Sequence, residues 1–230
     1  MSRKTQKKLR KLLTLVSCAV LLVCVTIGAT VAYLTSTKTV TNTFTVGKVD
    51  ITLDEAWVNA DGEPINEDKE TVNDLADAKR VEKNDYHLLP SHEYTKDPTV
   101  TVLGGSEECY VKMTVTFSNA AELDAIFAPD GVDMTSIFGE YKPQIWLYKG
   151  ITDDTTANTR TYEFWYKDAV QAANVDTKLE PLFTSITVPN TITNAQLATI
   201  QNMTITVNAY AIQADGFNGS ADAAWAAFAK

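Results

Sequence analysis

The sequence predicts an all-β protein, an antiparallel β-sandwich with short connecting helices, preceded by a helical signal peptide. Three observations carry this. Apolar and polar residues alternate strictly in several segments, most clearly from Tyr110 to Phe117 and from Met203 to Ala211. The intervals between such segments are rich in Gly, Pro, Asn and Asp, and helical spacing is confined to short stretches. Ahead of them, Arg3, Lys4, Lys7, Lys8, Arg10 and Lys11 precede an uncharged run from Leu12 to Ile27.

That head has the layout of a secretory signal, with positive charge held on the cytoplasmic side while the apolar segment enters the membrane. No Asp or Glu appears before Asp50. The run is slightly short of the ~20 residues a membrane helix wants. Gly28 ends it, and Thr30-Val31-Ala32 offers the small residues a signal peptidase reads. Cleavage is expected after Ala32, which makes 1–32 the signal peptide, Tyr33 the new N-terminus and 33–230 a single mature domain. An uncleaved anchor and a lipoprotein are the alternatives. Leu15-Val16-Ser17-Cys18 has the letters of a lipobox, but Cys18 stands in the middle of the apolar run rather than at its close. In each case the bulk of the chain ends up outside, and only the leader meets the membrane.

The formal net charge of the 230-residue chain is −9, and losing the basic leader makes the remainder more acidic still. Such a surface repels nucleic acid and anionic membrane, so neither is expected as a partner. Of the three cysteines, Cys18 and Cys24 lie in the leader and Cys109 alone remains. Without an intrachain disulfide, an exported domain must draw its stability from its core and sheet ladders. Cys109 shares strand parity with Val111, Met113 and Val115, so it is expected as a small buried apolar residue, with an intermolecular disulfide as the alternative.

In chain order, residues 35–45 are threonine-rich with Val40 and Phe44, a composition suited to a strand. The alternation then slips: Phe44 and Val46 have one parity and Val49, Ile51 and Leu53 the other, so a bulge is expected near Gly47-Lys48. Residues 59–85 read as an exposed acidic insertion opened by Asp61-Gly62-Glu63-Pro64, with a short polar helix following. Strands resume at Thr99–Leu103, turn in a hairpin at Gly104-Gly105 and return to Phe117. Ala120 to Phe127 has helical spacing and stops before Pro129. Gln144–Tyr148 and Thr161–Lys167 form a second hairpin across a long loop, with Tyr162, Phe164 and Tyr166 inward and Trp165 on the polar face, where a loop or neighbouring strand should cover it. Leu182–Val188 is another strand, and Thr193 with Gln196 makes a capping box for a helix over 194–201. In the last strand Met203, Ile205, Val207, Ala209 and Ala211 face inward. Ser220 caps a final helix lined by Ala221, Trp225 and Phe228. No internal repeat is evident.

Chemistry-bearing patterns are sparse. Pro90 rules out a zinc-binding helix between His87 and His92, and no third ligand accompanies them. No Gly-x-Ser-x-Gly elbow or phosphate-cradling glycine loop occurs. Asp61, Glu63, Glu67 and Asp68 lack the ligand order of an EF-hand and read as a solvated face. A carboxylate pair for glycoside hydrolysis depends on separation in space and stays open. No cofactor, metal or catalytic residue is assigned.

Gly28-Ala29-Thr30-Val31-Ala32-Tyr33-Leu34-Thr35, followed by Asn42-Thr43-Phe44-Thr45-Val46-Gly47, resembles the exported proteins cleaved by the SipW-type signal peptidase, the TasA and camelysin (CalY) family of Gram-positive surface and biofilm-matrix proteins. Leu89-Pro90-Ser91, Lys96-Asp97-Pro98-Thr99-Val100 and Cys109-Tyr110-Val111-Lys112 resemble its turn and second strand, and Ala209-Tyr210-Ala211 its final strand. The resemblance implies a jelly roll, export through that peptidase, and fibres built by self-association. Camelysin-type proteins have been classed as metallopeptidases, a role that the residues here do not support.

The expectation is a secreted, non-enzymatic structural subunit. An arm over 33–43, freed by cleavage and carrying Tyr33, Leu34 and Val40 ahead of Phe44, would add to the sheet edge of a neighbour. Repeated head to tail, that contact does not close and builds a filament. The alternative is a surface adhesin using the Trp165 face and the acidic insertion. There is no Leu-Pro-x-Thr-Gly motif, so any wall attachment is expected to be non-covalent or through a partner.

Overall fold

Antiparallel strand pairing dominates the computed structural model, which describes residues 3, 6–8, 10–20, 47–127 and 138–228. The chain divides into two units, Met1–Thr45 and Val46–Lys230. In the first, residues 10–20 are helical and Leu12, Leu13, Leu15, Val16 and Val20 are exposed on its surface. No helix among the described residues is long and apolar enough to cross a membrane.

The described residues of the second unit form twelve strands, β1 (Ile51–Ala56), β2 (Arg80–Val81), β3 (Glu93–Thr95), β4 (Thr99–Val102), β5 (Ser106–Ser118), β6 (Phe138–Gly139), β7 (Trp146–Asp154), β8 (Thr159–Tyr166), β9 (Val170–Ala172), β10 (Thr177–Lys178), β11 (Ser185–Thr187) and β12 (Ile205–Gln213). Three short helices accompany them among the described residues: α1 (Ala120–Phe127), α2 (Asn194–Thr199) and α3 (Ala221–Phe228). The strands form three sheets, ordered β10-β4-β1-β2, β3-β11-β6 and β12-β5-β8-β7, with β9 added to β5. Every pairing is antiparallel.

β5 is the spine. Its alternation sends Cys109, Val111, Met113, Val115 and Phe117 into the core and leaves Lys112, Thr114 and Thr116 on the other face. Val100 and Val102 of β4, Tyr162 and Phe164 of β8, Trp146, Leu182 and Phe183 complete that core. Phe138 stacks on Phe183 with centroids 4.2 Å apart. The inward set of the last strand, Met203, Ile205, Val207, Ala209 and Ala211, packs on the same core. Cys109 is fully buried, as its parity requires.

Gly104-Gly105 does not join a hairpin. β4 pairs with β1 and β10, while β5 pairs with β12, β8 and β9. The chain turns tightly there, with the Ser106 amide donating to the Leu103 carbonyl at 3.1 Å and Gly105 at φ +83°, but the turn carries it from one sheet to another. Both flanking segments have buried apolar faces, so facing each other across the core buries more than lying side by side.

The β7–β8 hairpin is tighter than expected. Its strands run on to Asp154 and Thr159, and Asp154 Oδ1 accepts from the Thr156 and Ala157 amides at 2.9 and 3.0 Å. The register slips between Tyr148 and Gly150, which bulges Lys149 outward. The strand expected over 182–188 shrinks to β11, because Leu182 and Phe183 are spent as buried core plugs. Residues 47–50 are irregular, with the first described strand starting at Ile51; the rest of the expected first strand and its bulge lies outside the described residues.

Residues 59–85 contain no helix. A repeat takes its place, overlooked in the sequence: Asn59-x-Asp61-Gly62-Glu63 and, seven residues on, Asn66-x-Asp68-Lys69-Glu70. In each copy the Asn Oδ1 accepts from the amides two and four residues ahead, at 2.9 to 3.0 Å. The fourth residue takes positive φ, +79° at Gly62 and +64° at Lys69. Asparagine side chains that capture backbone donors in this way outcompete the helix. Ile65 and Ala78 are buried within the insertion, and Val58 just before it.

The three other short helices expected are present as α1, α2 and α3, with α2 ending at Thr199 rather than 201. Thr193 and Gln196 form the full capping box of α2. Ser220 Oγ accepts from the Ala223 amide at 3.2 Å at the start of α3.

Candidate functional site

The residues singled out from the sequence for cleavage, Thr30, Ala32 and Tyr33, and for the donor arm, Tyr33, Leu34, Val40 and Phe44, lie outside the described residues. What the structure supplies is the set of sheet edges such an arm would meet. In the largest sheet β12 and β7 are the outer strands.

The two edges differ. β7 is broken by the bulge at Lys149 and ends in Asp153 and Asp154, and bulges and charges of this kind discourage further pairing. β12 keeps an unbroken register with β5 over nine residues, from Ile205 opposite Phe117 to Gln213 opposite Cys109. It holds no charge, proline or glycine along Ile205–Gln213. Among the described residues β5 is its only ladder partner. Among the described residues no strand pairs with the second backbone edge of β12, and Lys48 and Val49 lie beside its end at Ala211, Ile212 and Gln213.

The outer face of this sheet is closed by α3. Trp225 is buried there, 6.0 Å from the Trp165 ring, and Phe228 packs against both Trp225 and Tyr210. The Lys112 ammonium lies 4.8 Å from the centre of Trp225 and 3.2 Å from Glu163. Lys149 covers Trp165 at 3.9 Å and reaches Asp222 of α3 at 3.7 Å. Trp165 is therefore covered, as expected, but by a helix and a lysine rather than a loop or strand, and its face is engaged internally. A shallow groove of about 390 Å³ lies beside α3, lined by Gly47, Val49, Ala211, Ile212, Phe217 and Phe228 among others.

The histidines do not converge. His92 directs Nε2 at the Asp61 carbonyl and leans on Tyr94, while the His87 carbonyl accepts from the Tyr94 hydroxyl at 2.6 Å. Among the described residues no cluster of three or more His, Cys, Asp or Glu is placed to hold a metal ion. In the acidic insertion Asn59 and Asn66 spend their side-chain oxygens on backbone amides.

A buried polar cluster at the root of the insertion escaped the sequence reading. Lys96 Nζ lies 2.5 Å from Glu55 Oε2, with both residues buried. Glu55 Oε1 accepts from Asn84 Nδ2 at 3.0 Å. Beside them Arg80 reaches Asp54 at 2.7 Å and the buried Asp97 at 2.5 Å, and Asp97 Oδ1 accepts from the Ala56 amide at 2.6 Å. Burial alone would lower the Arg80 pKa, but the hydrogen bonds and charges of Asp97 and Asp54 outweigh it and hold the guanidinium firmly charged. Burial pushes the Tyr86 phenol far up, and the Glu55 and Asp97 charges push it the same way. A signal was available: Glu55 continues the inward parity of Ile51 and Leu53, and a carboxylate there demands a partner.

No protein-family model matches the chain, and no curated protein or solved structure matches it either.

Proposed function

We propose that this chain is an exported, non-enzymatic subunit of a cell-surface or biofilm-matrix fibre, a jelly-roll-like sandwich released by cleavage after Ala32 and assembled by strand addition. The observation that carries the reading is the β12 edge: nine regular, uncharged residues with a single ladder partner among those described. The arm over 33–43 would extend to ~36 Å and β12 spans ~30 Å, so the two match in length. The freed arm bears two positive charges, Lys38 and the Tyr33 α-amino group, and β12 none, so no like-charge repulsion opposes pairing. Backbone ladder bonds would supply affinity and Val40, with Phe44 beyond it, specificity. Donor and acceptor are different surfaces, so each added copy leaves a fresh arm and a fresh edge, and the assembly is open-ended. The basic head, the apolar run and the resemblance to the TasA and camelysin family support export and the matrix role.

Hydrogen exchange tests the acceptor assignment. In assembled material the outward amides of residues 205–213 should gain protection over the monomer while those of β7 do not; protection at β7 with none at β12 would move the acceptor to the other edge.

A further inference from the structure

The cluster of buried Glu55 and Lys96 with half-buried Asn84 has a property its role as a pin for the insertion does not require. One carboxylate holds an amine on one oxygen and a side-chain amide on the other: Lys96 Nζ at 2.5 Å from Oε2 and Asn84 Nδ2 at 3.0 Å from Oε1. The amide carbonyl is engaged as well, because Asn84 Oδ1 accepts from the Val58 backbone amide at 3.0 Å. Nδ2 makes a second bond, to the Ala56 carbonyl at 2.8 Å, which fixes the amide plane. The Tyr86 ring lies 5.8 Å from Lys96 Nζ and meets Tyr94 edge-on, so aromatic surface walls the pair from water. A nucleophile, an electrophile with a donor on its oxygen, and a proton carrier between them are assembled in one site, with Glu55 and Lys96 buried and Asn84 half-buried.

We propose that Lys96 and Asn84 join autocatalytically in an intramolecular isopeptide bond, with Glu55 as the proton-transfer residue. The Lys96 ammonium gives a proton to Glu55 across their 2.5 Å contact. The neutral Nζ attacks Cγ of Asn84, and the oxyanion that forms on Oδ1 stays on the Val58 N–H. Glu55 delivers its proton to Nδ2 and takes one from Nζ. The Cγ–Nδ2 bond breaks as the Nζ–Cγ bond remains, and ammonia leaves, carrying away the proton that returns Glu55 to a carboxylate. Nothing is oxidised or reduced and no co-reactant is needed: ammonium and amide become an isopeptide and an ammonium ion.

The bond would tie the segment after β2 to the end of β3 and clamp both to β1, where Glu55 sits. Cys109 is the single cysteine beyond residue 24, so no disulfide within the second unit can provide such a tie. A covalent cross-link of this kind restricts the unfolded chain as a disulfide does and is indifferent to reductant.

Mass spectrometry of the purified full chain decides it. The intact protein should be lighter than its sequence by about 17 Da, one ammonia. Trypsin should fail to cut after Lys96, leaving a peptide from Asn84 to Lys112 that carries the loss and in which Lys96 resists acetylation. Glu55→Gln should restore full mass, and Asn84→Asp, which keeps the electrophile, should lose water in place of ammonia. Full mass in the natural sequence, with Lys96 cleaved by trypsin, would overturn the proposal. So would an ammonia loss with Lys96 still cleavable and acetylated, because that marks a succinimide at Asn84-Asp85.

Discussion

Arg80 donates to Asp97 across 2.5 Å, and this contact fastens the acidic insertion to the main sheets. Asp97 is buried and accepts the Ala56 amide as well, while Arg80 adds bonds to the Asp54 carboxylate and to the Asp54 and Asp97 carbonyls. Removing Asp97 leaves a half-buried guanidinium and a backbone donor without their partner. Asp97→Ala should cost about 3–5 kcal/mol in denaturant unfolding. Replacing Arg80 and Asp97 together with apolar residues should cost less than the sum of the single changes, a coupling that a double-mutant cycle reads directly.

The two turns of the Asn-x-Asp repeat respond oppositely to substitution. A Cβ on Gly62 would stand 2.4 Å from Tyr94 Cδ1 at φ +79°. Gly62→Ala should therefore destabilise by about 1–3 kcal/mol. Lys69 holds the equivalent place at φ +64° in an exposed position. Lys69→Gly relieves that strain and should change stability by less than about 1 kcal/mol. Paired thermal melts of the two variants check both.

Burial pushes the Cys109 thiol up to about 11 from 9.0. The folded state thus keeps its proton while the unfolded chain loses its own. Stability from this group is intact below pH 9 and falls as pH rises through the window from 9 to about 11. Iodoacetamide should leave Cys109 unmodified in the native protein and label it after unfolding; labelling at native rates would contradict its burial.

Trp225 is the centre of the packing between α3 and the sheet, beneath which lie Trp165 and Lys112. Trp225→Ala should cost about 3–5 kcal/mol and expose Trp165, shifting its fluorescence to longer wavelength. An unchanged Trp165 environment would mean that another element provides the cover.

The parts of this fold that were legible in the sequence are those written over short distances. The alternation of β5 and β12, the Thr193 capping box, the Ser220 cap and the burial of Cys109 each follow from residues within a few positions of one another. Pairing partners do not. Alternation at Thr99–Val102 and Tyr110–Phe117 reveals two half-buried strands, and it is silent on whether they lie side by side or face each other across a core. The Glu55–Lys96 and Arg80–Asp97 contacts bridge 41 and 17 positions, which no local pattern encodes. The asparagine repeat was within reach: Asn59-x-Asp61-x-Glu63 recurs at Asn66, but a search for hydrophobic period passes over polar turns. Lys96 and Asp97 place their two charges at the root of the insertion, immediately before the buried β4 strand.

Filament formation should depend on the arm. Electron microscopy of the chain beginning at Tyr33, beside one lacking residues 33–43, compares the two under identical conditions. Filaments from the first and folded monomers from the second are the predicted result. Filaments from both, or from neither at high concentration, would contradict strand addition by the arm.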